Sequence, residues 1–251
     1  MPFTPAHPAI LFPLKFFPKL KWSWTALLIG SIIPDFEYFI WLSPSAYVSH
    51  SWEGIILFNL PMTVLMAFMW HQVMAPVLLP KLHFIKSGLN MEHTPAFFPW
   101  LKSNWLMFLL SALTGILSHL VWDSFCHANG YMVHRIPYLL AFTDLGPYHI
   151  RNCYLLWYLS TLAGGVLMLA WLVDFSRVFR LSSWTIFFSG ASFWGKILFA
   201  AGLIAIVRIS LGLGWNWTRH LVMIFLGSLF YATLALCWLE KGAKKKAVLS
   251  T

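Results

Sequence analysis

Two imidazoles and a carboxylate interrupt an apolar run in the stretch Ser118-His119-Leu120-Val121-Trp122-Asp123-Ser124-Phe125-Cys126-His127. On a helix His119 and Asp123, four residues apart, lie on one face, and His127 follows one turn later. That spacing suits chelation of a cation. An ionisable side chain at membrane depth costs about 2.5 to 3.5 kcal/mol on insertion scales, so it calls for a function or a structural partner. A neutral His hydrogen-bonded to an Asp, acting as glue between helices, is the plain alternative. The stretch alone does not choose between the two.

The elements that must position this face follow from composition. The chain has 251 residues, 59% apolar and 18% aromatic, with 10% charged and a mean hydropathy of +0.72. Soluble domains carry about 25% charged residues. A polytopic membrane protein is therefore expected. A spanning helix needs about 20 apolar residues, and residues 54–79, 105–126, 154–174, 196–214 and 219–239 meet that length. The segment Ser23 to Leu42 is interrupted by Pro34, Asp35 and Glu37, which predicts a helix ending near Ile33. Before it, His7 to Leu20 carries Pro8, Pro13 and Pro18 and reads as a short, kinked or partly inserted helix. The expected fold is an all-α polytopic membrane helical bundle with six to seven inserted segments, opening on a short helical hairpin. Residues 1–175 would form the membrane helical domain with the polar cluster. Residues 176–251 would add further spans and a basic tail to the same bundle.

The net charge of +9 comes from short basic clusters between apolar runs. Such clusters read as topology determinants rather than a nucleic-acid surface. Cys126, Cys153 and Cys237 form no CxxC pattern, which argues against redox chemistry. No basic region followed by a cleavage site marks a removable signal peptide at the N-terminus. With the C-terminus placed in the cytoplasm, alternate crossings leave only Arg135, Arg151 and Arg219 outside, while Arg208 snorkels from within a span. The tail Gly242-Ala243-Lys244-Lys245-Lys246 becomes a solvated cytoplasmic end that touches anionic lipid.

This topology gathers the ionisable residues at one level. His119, Asp123 and His127 fall in the outer half of their span. Asp35 and Glu37 end the earlier segment at its outer side, and His50 lies in the next outer loop. The loop 127–153 adds His134, Arg135, Asp144, His149 and Arg151. His7 joins them if the first stretch crosses the membrane, and is stranded on the other face if it does not. Such convergence is unexpected in a chain with eight acidic residues.

Neutral imidazole and carboxylate are ligands for zinc and comparable divalent metals. A bound metal lowers the pKa of its water to about 7 and so supplies hydroxide at neutral pH. Three carboxylates, Asp35, Glu37 and Asp123, would exceed the charge of one divalent ion, which leaves room for further ions or a protonated carboxyl. Glu37 is a candidate general base or ligand, or an interfacial carboxylate. Arg135 and Arg151 could clamp a phosphate or carboxylate, or simply face lipid headgroups. Ser49, Ser51 and Ser118 adjoin the candidate ligands and suit supporting hydrogen bonds, but none sits in a GxSxG context. His71, within a span, reads as an interhelical hydrogen-bond donor, and His83, His93 and His220 read as interfacial bystanders.

Thr4-Pro5-Ala6-His7-Pro8, Gly30-Ser31-Ile32-Ile33-Pro34-Asp35-Phe36-Glu37-Tyr38, Ser49-His50-Ser51 and Ser118-His119-Leu120-Val121-Trp122-Asp123 resemble a bacterial membrane family of unknown function that begins Met-Pro-Phe-Thr. That family is similar to the membrane-bound metal-dependent hydrolases, and the order of its motifs resembles the zinc-dependent phospholipase C and nuclease fold. The resemblance covers residues 1 to about 175. It implies metal positions at His7, Asp35, His50, His119 and Asp123. The wider group has a Pro-Asp-x-Asp-His where this chain has Pro34-Asp35-Phe36-Glu37-Tyr38, with one Asp, one Glu and no His.

These readings together predict an integral hydrolase of the bacterial cytoplasmic membrane, dependent on a divalent metal such as zinc. Asp35 and Glu37 would take part in catalysis, His127, Arg135 and Arg151 would be additional contacts, and the substrate would be an ester such as a phosphoester of a lipid or envelope intermediate. Its partners would be the bilayer and that substrate, not nucleic acid. Two other classes stay open. A transporter or ion pathway would need broken helices in paired halves, whereas only Pro34 marks such a break. A non-catalytic scaffold would use the polar cluster for structure alone.

Overall fold

The structure, a computed structural model, describes residues 3–17, 19–82, 97–174, 191–212 and 217–249. His83, Lys86, His93, Arg177 and Arg180 lie outside the described residues. The described chain is nearly all helical. A 3-10 helix, Thr4–Phe16, is followed by α1, Trp24–Ile32, and α2, Phe36–Trp41. Five long apolar helices come next: α3, Trp52–Lys81; α4, Phe97–Cys126; α7, Asn152–Leu172; α8, Ala191–Ser210; and α9, Trp217–Leu249. Each is long and apolar enough to cross a membrane. Their outward faces match that setting: Leu162, Val166 and Leu169 of α7 and Phe199, Leu203 and Ile206 of α8 are exposed. Apolar surface of this extent belongs in lipid rather than water.

The five expected spans coincide with these helices to within a few residues, apart from longer N-terminal starts. Two regions differ from expectation. Between α4 and α7 the chain is not a plain loop but forms α5, Tyr131–Arg135, α6, Pro137–Leu140, and a hairpin of β1, Phe142–Leu145, with β2, Tyr148–Arg151. Leu145 pairs with Tyr148, so the turn is Gly146-Pro147, and Gly146 takes the positive φ of 61° that a two-residue loop with glycine first demands. The tail is also helical, since α9 continues to Leu249. Alanine and lysine are good helix formers and carry it on past the apolar run.

Contacts group the chain into two compact units. The first comprises Met1–Pro34, His50–Thr63 and Asn104–Leu172; the second comprises Asp35–Ser49, Val64–Ser103 and Val173–Thr251. Within the first, glycines set the spacing. A Cβ on Gly115 of α4 would stand 2.4 Å from the Leu27 carbonyl oxygen, and one on Gly30 of α1 would stand 2.6 Å from that of Ala112. Helices α1 and α4 therefore touch backbone to backbone. The amide of Ser23 donates to Ser111 Oγ at 3.0 Å, while the Ser23 side chain caps α1 by accepting from Ala26. The 3-10 helix lies along α7, where Gly164 admits the Ala6 carbonyl at 2.8 Å from its would-be Cβ. Lys15 closes its far end, with its ammonium 4.8 Å from the Trp171 ring, 5.3 Å from Phe12 and 5.6 Å from Trp24.

The second unit is built on Val73, Val77 and Leu78 of α3, packed with Phe193 and Ile197 of α8 and Ala232 and Cys237 of α9. Lys81 pairs with Glu240 at 3.1 Å. Helix α2 ends at Leu42 with a left-handed φ of 49°, and its Ile40 carbonyl accepts from Tyr231 Oη at 3.1 Å. Arg208 near the end of α8 donates to the carbonyl of Gly212, just past the helix terminus, at 2.8 Å.

Candidate metal centre

The centre is built around Asp123. Helix α4 carries both His119 and Asp123, and their i,i+4 spacing brings His119 Nε2 within 3.5 Å of Asp123 Oδ2. His127, just beyond the helix end, places Nε2 3.4 Å from the same oxygen. His50 Nε2 stands 3.7 Å from it, at the start of the turn that leads into α3. The other oxygen, Oδ1, faces His7 Nε2 at 3.5 Å.

His7 reaches Asp123 because of its prolines. Pro5, Pro8 and Pro13 lack the N–H groups an α-helix would use, while their fixed φ suits the tighter 3-10 winding. This keeps Thr4, Ala6, His7 and Leu11 on a buried face. The His7 ring stacks on that of His119, with centroids 3.8 Å apart and planes 17° from parallel. Asp35 ends the 3-10 turn Ile33–Asp35, which begins where Pro34 breaks α1. Asp35, His50, His119 and Asp123 each offer a ligand atom, and these four atoms all lie within 4.8 Å of one another. This His/Asp cluster could hold a metal ion.

The ring of His119 is oriented from behind. Its Nδ1 lies 2.7 Å from the carbonyl oxygen of Ser31. A carbonyl only accepts, so Nδ1 carries the proton and, in the neutral ring, Nε2 turns a lone pair toward Asp123. Ser31 had no signal in the sequence, because its contribution is a backbone oxygen. Gly30 beside it did have one, as a small residue that lets two helices meet.

Direct N–H···O bonds run about 2.7 to 3.2 Å, and the four N···O separations at Asp123 are all longer. Zinc bonds of about 2.0 to 2.1 Å in a tetrahedron put neighbouring ligand atoms about 3.3 to 3.4 Å apart. Both Asp123 oxygens are buried and make no hydrogen bond of normal geometry among the described residues.

Access is one-sided. The side chains of His7 and His119 are 0% exposed and that of Asp123 8%, whereas His50 is 27% and His127 37% exposed. His127, which the sequence offered only as an additional contact, is thus both adjacent to Asp123 and the most open of the four imidazoles.

Glu37 is held by backbone amides. Its Oε1 accepts from the amide of Tyr47 at 2.9 Å, and its Oε2 from those of Val48 at 3.1 Å and Ser49 at 2.8 Å. Burial pushes its carboxyl up, but the Ser49, Tyr47 and Val48 amides outweigh that and hold it below its ordinary value. A carboxylate stabilised in this way is a weak base. Committed to these amides, it is not among the candidate ligands, whose carboxylates are Asp35 and Asp123.

Arg135 and Arg151 are engaged with aromatic rings, 5.1 Å above Tyr131 and 5.2 Å above Phe142. Asp144 and His149 are cross-strand partners of the hairpin and pair with each other. Of the serines, Ser51 caps the start of α3 by accepting from Gly54 at 3.0 Å, and Ser118 donates back to the Gly115 carbonyl at 2.7 Å.

Fold and site together define a multi-pass helical membrane protein with a buried His/Asp cluster able to bind a metal. The chain belongs to the family described as a domain of unknown function (DUF4184), whose model matches residues 1–238. No curated protein and no solved structure matches it.

Proposed function

We propose that this protein is a membrane-embedded metal-dependent hydrolase acting on an ester at headgroup level on the outer side of the cytoplasmic membrane. The observation that carries the metal is the pairing of His119 with Asp123. The Ser31 carbonyl leaves a lone pair on His119 Nε2, facing a carboxylate oxygen 3.5 Å away. Two acceptors so placed repel unless a proton or a metal ion stands between them, and the metal is the reading taken here. Asp35, His50, His119 and Asp123 would hold the ion, with two carboxylates matching the charge of one divalent metal. Two imidazoles and two carboxylates suit zinc. His7, on the second oxygen of Asp123, would complete or bridge the site.

Once bound, such an ion supplies Lewis acidity and an activated water, the chemistry of ester hydrolysis. The remaining roles fall to the chain. His119 and Asp123 fix the geometry from the rigid α4, the buried His7 ring packs against His119, and substrate approaches along the open side at His50 and His127. His127 is the candidate to move a proton there. The outer-face assignment is supported by the excess of Lys and Arg on the opposite side of the spans.

Elemental analysis of detergent-purified protein tests the metal, and hydrolysis of a chromogenic phosphodiester by the zinc-loaded protein tests the reaction. Stoichiometric zinc in the wild type, lost in a folded Asp123→Ala variant, is expected. A metal-free wild type that takes up no zinc would sink the reading.

A further inference from the structure

The commitment of Glu37 to three amides has a consequence for His50. After the left-handed residue Leu42 the chain runs without regular structure until Trp52. Its last turn before His50 is fastened at Tyr47, Val48 and Ser49, all to one carboxylate. Amide bonds to an ionised carboxylate are about twice as strong as neutral ones. Ser49 is fully buried. On the other side of His50, Ser51 caps α3 through the Gly54 amide. His50 is thus one residue between two fixed neighbours.

His119 needs no such help, because burial and the Ser31 carbonyl hold its ring. His50 is partly exposed and is less enclosed by packing, so its backbone must carry more of the orientation. We infer that Glu37 is a positioning residue for the metal centre, fixing the 47–49 turn and, through the Ser49–His50 peptide, the place of the His50 imidazole. This role rests on the metal reading above.

The test is a thermodynamic cycle on the full chain in detergent, with zinc alone as the probe and a chromophoric chelator as competitor. Wild type, Glu37→Gln, Glu37→Ala, His50→Ala and the corresponding doubles are compared. Supporting groups around metal ligands are worth about 10- to 100-fold in affinity. Each Glu37 substitution should weaken zinc by about that factor when His50 is present. In the His50→Ala background the loss should shrink to about twofold, the scatter of non-interacting sites. Glu37→Gln keeps the volume and one carbonyl acceptor, so it should fall between wild type and Glu37→Ala.

The same loss in both backgrounds, or no loss in either, overturns the role. A metal-free Glu37→Gln protein with no folded state at all, beyond a lowered unfolding midpoint, overturns it as well, since Glu37 would then be required by the fold rather than by one ligand. A wild type that binds no zinc fails the metal reading itself, which separates the two.

Discussion

Adding one methyl group where α1 and α4 cross should damage the candidate metal centre without touching any of its side chains. In Gly115→Ala the new Cβ would stand 2.4 Å from the Leu27 carbonyl oxygen and 2.9 Å from the Ser31 amide nitrogen. Both neighbours are backbone, so neither can swing away. Relieving the closer contact to an ordinary 3.4 Å moves α1 back by about 1 Å. Carried one turn along to Ser31, that shift opens the 2.7 Å contact to His119 Nδ1 to about 3.7 Å, beyond hydrogen-bond range. Overpacking costs about 1 to 3 kcal/mol, and the lost buried hydrogen bond about 1 kcal/mol more.

Zinc affinity should fall about 10- to 100-fold as the His119 ring loses its orientation. Thermal unfolding of the metal-free protein in detergent measures the first effect, and chelator competition the second. Gly202→Ala in α8 is the control, since nothing lies within 4 Å of its Cβ position. A Gly115→Ala protein with wild-type stability and zinc affinity would refute the crossing. Lost stability with unchanged affinity would refute the argument from the Ser31 carbonyl.

Neighbouring glycines in α7 should behave oppositely. Gly164→Ala meets the Ala6 carbonyl at 2.8 Å and should push out the 3-10 helix bearing His7, while Gly165→Ala, in open space, should stabilise α7 by about 0.5 to 1 kcal/mol; unfolding midpoints of the pair decide it. Asp123→Asn keeps the shape of the hub but removes its charge and should abolish zinc retention in elemental analysis, with the helical circular dichroism unchanged. The Glu37 carboxyl is held below its ordinary value of 4.5 in the folded chain, so its stabilisation is present above that pH and is lost as pH falls below it. The midpoint difference between wild type and Glu37→Gln should be constant from about pH 6 to 8 and narrow on acidification below about 4.5; a difference that widens in acid would contradict the sign.

Hydropathy made the spans legible because a lipid-facing helix needs nothing more than length and apolarity. The i,i+4 pair of His119 and Asp123 was legible for the same reason, since helical geometry alone fixes its spacing. Asp35 and His50 could be added only by counting crossings or by the family resemblance, and the structure places them beside His119 and Asp123. The support behind them was not legible. Ser31 acts through a carbonyl that every residue possesses, and sequence shows the Glu37 carboxylate but not the amides of Tyr47, Val48 and Ser49 that it accepts from. The hairpin escaped notice although Gly146 carried its signal, because Phe142 to Arg151 is too short to assert a strand period against a helical background.

The uneven burial of the imidazoles also bears on rates. Among the described residues, the exposed edge of the cluster is the one formed by His50 and His127, while His7 and His119 are sealed behind it. If an ion is held there, exchange should proceed in sequence, with His50 releasing first and the buried His119 last. How tightly the ion is held and how quickly it is swapped then become separately adjustable, the first by the walls around His119 and the second by whatever shields His127.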